Sequence, residues 1–214
     1  RRRYPFWLHV DGTFGLVAAA SPRYRQRLAG LEHADSITVD GHKWLNVPYD
    51  GGYSYTRHLT SRLQVFRNAS PYLPPPVADP RNVLHLGPEN SRRWRALPLW
   101  FTLLAYGREG VRDLVERCCD LAAELGQAIE GLEGYRLAAP VQLNITCIEA
   151  EGASDPAALR RLQQALTETG EVYATPSLFQ GRPVLRMAFC NWRTGREDVK
   201  RIVAALEAVR GAAG

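Results

Sequence analysis

The stretch from Ser36 to Leu45 contains the residue of this sequence best suited to covalent chemistry, Lys43. A β-branched run enters a turn at Gly41, and the turn is followed by a His–Lys pair and an apolar Trp–Leu pair. A partly desolvated lysine at the end of a rigid strand loses its proton easily, which favours imine formation with an aldehyde. A lone lysine is more often a solvated turn residue, so this interpretation needs a second feature.

That second feature is Asp11, which ends an apolar segment starting at Phe6 and precedes a turn with spaced glycines. Ligands of parallel sheets bind beyond the carboxyl ends of the strands, and the next strand ends near Lys43. Two neighbouring strand ends would then present an acid and an amine to one crevice. Pyridoxal phosphate needs both groups, a carboxylate that keeps its ring nitrogen protonated and a lysine that forms the Schiff base. A strand-terminal aspartate is also a common helix N-cap, and the pattern leaves this alternative open.

Five segments carry a resemblance that covers nearly the whole chain. They begin with His9-Val-Asp-Gly, Ala34-Asp-Ser-Ile and His42-Lys-Trp-Leu, and continue through Ser91–Leu97 and Val184–Cys190. In order and spacing they resemble the group II pyridoxal-phosphate-dependent amino-acid decarboxylases, particularly the aromatic-L-amino-acid branch. The resemblance is to the carboxy-terminal portion of these enzymes.

The resemblance implies an α/β fold in two parts. Residues 1–106 are expected to form the C-terminal part of the large, cofactor-binding domain of a fold-type I pyridoxal-phosphate-dependent transferase. This part has a mixed, mainly parallel sheet with helices and an active-site loop at 67–90. Residues 107–214 are expected to form a bridging helix and a small α+β C-terminal domain, with helices covering one face of a mainly antiparallel sheet.

The resemblance also assigns cofactor-binding residues. Lys43 becomes the Schiff-base lysine and Asp11 the partner of the cofactor ring nitrogen. His42 and Asp40 are expected to contact the cofactor phosphate. Asp40 stands where the family usually has Asn, and a carboxylate near a phosphate would repel it.

Three further residues are assigned roles outside the strand ends. Tyr72 lies on the Pro-rich loop that, in the resembling enzymes, closes over the active site from the partner subunit. It is the candidate proton donor, although tyrosine also commonly packs its ring and bonds its hydroxyl. Ser91 is a candidate substrate-specificity position, and Arg186 could hold a substrate carboxylate or form a structural ion pair.

The implied activity is that of a carboxy-lyase, which converts an aromatic L-amino acid to the amine and carbon dioxide through a Lys43 Schiff base. A homodimer is expected, because the family's active site lies at the subunit interface. Two alternatives stay open: another pyridoxal enzyme of the same fold, such as an aldehyde-forming decarboxylase-oxidase or a lyase, or an inactive fragment with a structural role. The chain has no Gly-rich phosphate loop ahead of a helix, so tight cofactor binding does not follow from its residues alone.

Hydrophobic periodicity predicts the elements that position these residues. In the first half we expect strands at 6–11, 34–39 and 51–56, a basic helix at 21–30, and helices at 58–66 and 91–106. The face of the 91–106 helix that carries Leu97, Trp100, Phe101 and Leu104 is predicted to be buried, with a break at Gly107 or Gly110. In the second half we expect helices at 109–132, 156–169 and 197–210, and strands at 135–139, 142–149, 171–175 and 183–190.

Composition limits the remaining function classes. The chain of 214 residues has a formal net charge of +5, but its arginine clusters, at 1–3, 23–27 and 92–95, fall on different predicted elements. No nucleic-acid-binding motif accompanies them, so we predict no nucleic-acid partner. The 4 cysteines lack metal-ligand spacing, and we expect them to be reduced and no metal to be bound. No run is long enough to span a bilayer, which predicts a soluble, cytoplasmic protein with no membrane partner.

Overall fold

A computed structural model describes residues 3–68 and 70–212. The first sheet of this structure contains the two strands that end at Asp11 and Asp40. The strand β1 (His9–Asp11) pairs in parallel with β2 (Ser36–Asp40). The strand β3 (Gly52–Thr56) pairs antiparallel with the other edge of β2. The strand order is therefore β1-β2-β3.

The register of this sheet places three polar side chains on one face. Asp11 is paired with Thr38, and Asp40 lies two residues further along β2. Because side chains alternate between the faces of a strand, Asp11, Thr38 and Asp40 share one face. Since β1 and β2 run parallel, both aspartates also lie at the same edge of the sheet.

The connection from β1 to β2 consists of three short 3₁₀ helices, at Gly15–Ala20, Arg25–Leu28 and Leu31–His33. The α-helix predicted at 21–30 was therefore wrong. Ser21 ends the first 3₁₀ helix in an extended conformation, and its hydroxyl accepts the Arg23 amide at 3.1 Å. Such a local bond competes with a helical ladder. Gly30, whose φ of 92° lies in the left-handed region, interrupts the helical conformation a second time.

The helix α1 (Leu59–Phe66) follows β3, and the predicted loop at 67–90 comes next. The described residues of this loop contain no helix or strand, whereas Ala69 lies outside the described residues. The helix α2 (Ala96–Glu130) then extends over 35 residues. It is interrupted at Gly107, whose φ of 60° and ψ of −167° are not helical, so Gly107 and not Gly110 is the break.

The face of α2 before Gly107 is not buried, contrary to the prediction. Trp100, Phe101 and Leu104 are all more than half exposed in the described part of the chain. Their helical spacing was read correctly, but a helix buries an apolar face only where another element packs against it. After Gly107 the apolar face is buried, with Val115, Cys118 and Leu125 fully enclosed.

Contacts divide the chain into two units, Arg1–Arg108 and Glu109–Gly214. The assignment of these parts to a cofactor domain and a terminal domain stays a prediction. Of the first arginine cluster, Arg1 and Arg2 lie outside the described residues. Within the described residues, none of the 4 cysteines forms a disulfide.

The second unit contains an antiparallel sheet of four strands and two further helices. The strands β4 (Tyr135–Leu137), β5 (Ile145–Ala150), β6 (Thr175–Phe179) and β7 (Arg182–Ala188) are ordered β4-β5-β7-β6. The helices are α3 (Pro156–Glu168) and α4 (Arg196–Ala208). The predicted strand at 171–175 was misplaced, because β6 only begins at Thr175.

The core of the second unit consists of aliphatic side chains from its helices and sheet. The fully buried members include Ile129, Ile148, Leu162, Leu185 and Leu206. The apolar periodicity of α3 and α4 had predicted these helix faces, which confirms the amphipathic pattern there.

Candidate functional site

The turn after β2 holds Lys43 through its neighbours in the chain. Gly41 donates its amide to the carbonyl of Gly51 at 2.6 Å. A Cβ at Gly41 would lie 2.8 Å from the Tyr53 ring and 3.0 Å from a Val47 methyl, so only glycine fits this close approach. Trp44 is completely buried and fixes the other side of the turn. Lys43 therefore projects from a rigid frame.

The ammonium group of Lys43 lies beside one carboxylate and one aromatic ring. Its Nζ is 2.9 Å from Oδ2 of Asp40 and 5.4 Å from the centroid of the Phe14 ring. The side chain is 36% exposed, so external molecules can reach it. The sequence contains only one other lysine, Lys200, on α4.

Asp40 lies between Lys43 and His42. The same Oδ2 that pairs with Lys43 is 3.6 Å from Nε2 of His42. The His42 ring stacks on Tyr49 with centroids 4.1 Å apart, and its Nδ1 donates to the Gly51 carbonyl at 3.2 Å. The two predicted phosphate contacts thus lie together beside the lysine, but Asp40 already neutralises part of the positive charge there.

Asp11, at the end of β1, is exposed and is held by Thr13. Its Oδ1 accepts the Thr13 backbone amide at 3.0 Å and also the Thr13 hydroxyl. These hydrogen bonds hold the pKa of the Asp11 carboxyl below its usual value, and the positive charge of Lys43 lowers it further. Asp11 is therefore ionised at neutral pH, and its charge interacts with that of Lys43.

Tyr72 is 83% exposed on the loop at 67–90. Within the described residues, no hydrogen bond, ion pair or ring contact joins Tyr72 to Lys43 or Asp11. The loop around it is anchored by His85, which is almost completely buried. Nδ1 of His85 accepts the Asn68 amide at 3.2 Å, and Nε2 donates to the Pro74 carbonyl at 3.4 Å. One ring thus ties both ends of the segment that carries Tyr72.

An ion cluster connects the far end of the loop to the turn that follows Lys43. Asp50 accepts hydrogen bonds from Arg93 and from Nε of Arg95, the latter at 3.0 Å. Arg95 also contacts Glu89 at 3.1 Å. The hydrogen bond from Arg95 is the largest cause of the lowered pKa of the Asp50 carboxyl. Sequence analysis had considered Arg93 and Arg95 only as part of an arginine cluster and of the family resemblance.

The two predicted substrate-binding residues, Ser91 and Arg186, belong to different units of the chain. Ser91 is exposed, and its side chain has no hydrogen bond within the described part of the chain. Arg186 belongs to the second unit, where it lies half-buried on β7 opposite Cys147 of β5. The substrate-binding roles of Ser91 and Arg186 stay predictions.

Thr13 and Tyr49 are contacts that sequence analysis missed. The position of Thr13, two residues after an aspartate, is typical of a side-chain-to-backbone turn, and that signal would have pointed to it. Tyr49 lies seven residues after His42, and no local pattern indicates that the two rings stack.

The described residues include no cluster of three or more His, Cys, Asp or Glu side chains that would hold a metal ion. Among the same residues, no helix has the length and apolar character needed to cross a membrane.

Comparison with known proteins shows clear similarity along the chain. Residues 1–150 match the family model of the pyridoxal-dependent decarboxylase conserved domain. The chain is 28% identical over 201 residues to an aromatic-L-amino-acid decarboxylase of Drosophila melanogaster, which covers 92% of this chain and 39% of the relative. It is 29% identical over 216 residues to the Sus scrofa aromatic-L-amino-acid decarboxylase, with 97% and 42% covered.

A solved structure shows the same fold. Oryza sativa TDC with PLP and tryptamine superposes with a TM-score of 0.84 at 24% identity, covering 99% of this chain and 45% of that one. This likeness in fold confirms the predicted fold class. The chain spans about two fifths of the length of the curated relatives described above.

Proposed function

Because the chain belongs to the pyridoxal-dependent decarboxylase family, we propose that the protein converts an aromatic L-amino acid to the amine and carbon dioxide. Pyridoxal phosphate is the cofactor of this proposal. The observation that carries it is the placement of Lys43 and Asp11, an amine and an ionised carboxylate, after the neighbouring parallel strands β2 and β1. Relatives named aromatic-L-amino-acid decarboxylase, from insect and pig, support the aromatic substrate class.

The side chains present fit this cofactor. Lys43 is a reachable primary amine that would hold the aldehyde carbon covalently, and His42 would contact the phosphate. Asp11 is a carboxylate whose pKa is lowered, so it keeps the negative charge that a protonated ring nitrogen requires. When bound, pyridoxal phosphate supplies the sink for the electron pair left behind by carbon dioxide.

The remaining roles belong to residues away from Lys43. Arg186 would bind the substrate carboxylate with two parallel hydrogen bonds, and Ser91 would contact the substrate ring. Tyr72 would deliver a proton from its hydroxyl to the substrate carbon after the carboxylate is lost. A homodimer is part of the proposal, with the Tyr72 loop acting on the active site of the partner subunit.

The small number of lysines makes the central assignment easy to test. The purified protein is incubated with pyridoxal phosphate, reduced with borohydride, digested and mapped by mass spectrometry. We expect the reduced cofactor on Lys43, and we expect Lys43→Ala to abolish this attachment and amine formation. Lys200→Ala is the matched control, because Lys200 is an exposed lysine paired with Glu197 at 2.7 Å.

Two outcomes would count against the proposal. Label on Lys200 or the N-terminus but not on Lys43 would show that the Lys43 turn does not bind the cofactor. Attachment at Lys43 with release of aldehyde and hydrogen peroxide in place of amine would favour the aldehyde-forming alternative. Chromatography of the products separates amine from aldehyde.

A further inference from the structure

We propose that Thr13 is a positioning residue that fixes the orientation of the Asp11 carboxylate, so that Oδ2 faces the cationic ring N–H of the cofactor. The inference rests on the proposed function, because only then does the orientation of Asp11 matter. Thr13 itself touches neither substrate nor cofactor in this proposal.

Both hydrogen bonds that Asp11 receives from Thr13 go to the same oxygen. The backbone amide lies 3.0 Å from Oδ1, and the hydroxyl donates to that oxygen as well. Within the described residues, Oδ2 of Asp11 has no hydrogen-bond donor. The carboxylate thus has one oxygen held by Thr13 and one oxygen available to accept a hydrogen bond from a single N–H donor.

The backbone around Thr13 is fixed independently of its hydroxyl. Gly12 donates its amide to the Thr38 carbonyl at 2.8 Å, which docks the turn onto β2. A Cβ at Gly12 would lie 2.8 Å from that carbonyl and 2.9 Å from Cβ of Leu16. The backbone of the turn is therefore held against β2, which keeps Thr13 beside Asp11.

The exposure of Asp11 gives this contact its importance. An exposed aspartate samples several rotamers, and each misdirected rotamer costs affinity for a ligand that needs one orientation. The hydrogen bonds from Thr13 also stabilise the ionised form of the carboxyl. Thr13 thereby acts on both the direction and the charge of Asp11.

The test uses Thr13→Val, which keeps the shape without the hydroxyl, and Thr13→Ser, which keeps the hydroxyl. The Asp11 carboxyl is titrated in each purified protein by carbon-13 NMR, with its resonance identified by its loss in Asp11→Asn. We expect Asp11 to titrate at higher pH in Thr13→Val and as in the wild type in Thr13→Ser. In parallel, the affinity for pyridoxal phosphate, followed by absorbance, should fall about two- to fivefold in the valine variant only.

The outcomes separate this inference from the proposed function. An Asp11 titration and cofactor affinity unchanged in Thr13→Val would overturn the positioning role, whatever happens at Lys43. A changed titration together with no cofactor on Lys43 in any variant would instead overturn the proposed function. Circular dichroism of each variant excludes a folding defect as the cause.

Discussion

Asp40 has an environment that bears directly on cofactor binding. Its carboxylate is 2.9 Å from Nζ of Lys43 and 3.6 Å from Nε2 of His42. The side chain is only 26% exposed, so solvent screens these charges less than at the open surface. Asp40 therefore offsets the positive charge that would attract an anionic ligand to this turn.

From this geometry we predict that Asp40→Asn strengthens the binding of pyridoxal phosphate. Removing the carboxylate takes away its repulsion of the phosphate and leaves Lys43 without its counter-ion. The dissociation constant should fall about two- to fivefold, as measured by absorbance titration. Glu197→Gln is the matched control, because Glu197 also pairs with a lysine three residues away, and it should leave the affinity unchanged. Weaker binding in Asp40→Asn would instead indicate that Asp40 assists the cofactor.

Tyr72 can be tested through the product that the enzyme releases. Tyr72→Phe keeps the ring but removes the hydroxyl that would donate the proton. We expect amine formation to fall by about 10²–10⁴-fold, the usual contribution of a general acid. Tyr173→Phe is a suitable control, because Tyr173 is similarly exposed but belongs to the second unit. A Tyr72→Phe variant with the wild-type rate of amine release would leave Tyr72 only a packing role.

Among the elements, α3 shows how a local sequence signal becomes structure. Asp155 precedes Pro156, and its Oδ1 accepts the amides of Ala157 and Ala158 at 2.7 Å and 2.9 Å. Pro156 occupies a position where no helical hydrogen bond is lost. The apolar face of α3 then buries Leu159, Leu162 and Leu166. The cap and the face act together; sequence analysis predicted the face but did not identify the Asp155 cap.

The cap of α3 predicts a defined pH dependence of stability. The hydrogen bonds from Ala158 and Ala157 lower the pKa of the Asp155 carboxyl. A carboxyl whose pKa is lowered in the folded state adds stability above its unfolded pKa, and this stability is lost as the pH falls through the folded value. Asp155→Ala should therefore lower Tm by about 2–4 °C at pH 7.

The same substitution should matter little in acid. Well below the ordinary aspartate pKa of about 3.9, both proteins lack the charged cap and their Tm values should converge. Differential scanning calorimetry from pH 7 to pH 2 measures this convergence. A Tm difference that persists unchanged to pH 2 would mean that Asp155 stabilises α3 by something other than its ionised cap.

At the scale of the whole molecule, two surface features stand out: the many arginines and the exposed apolar side chains before Gly107. Much of the excess arginine is used in ion pairs, such as those of Arg95 with Asp50 and Glu89, and of Arg201 with Glu171. These ion pairs therefore neutralise part of the basic charge locally. The apolar side chains before Gly107 remain exposed, although their spacing is that of a buried helix face.

The sequence by itself determined the features that depend on neighbouring residues. Asp11 at a strand end, Lys43 after the Gly41 turn, the cap of α3 and the apolar face of α4 all follow from local conformational preference and periodicity. These features, with the family resemblance, were sufficient to predict the fold class and the position of Asp11 and Lys43 after neighbouring strands, whereas their roles stay predictions.

Only the tertiary structure decided which distant groups meet. The contact between Asp50 and Arg95, the ring of His85 closing the Tyr72 segment, and the stacking of His42 on Tyr49 depend on how the backbone packs. The same is true of Trp100, since a helical pattern specifies an apolar face but not whether another surface covers it. Local energies select the elements, whereas contacts between remote residues require the folded chain.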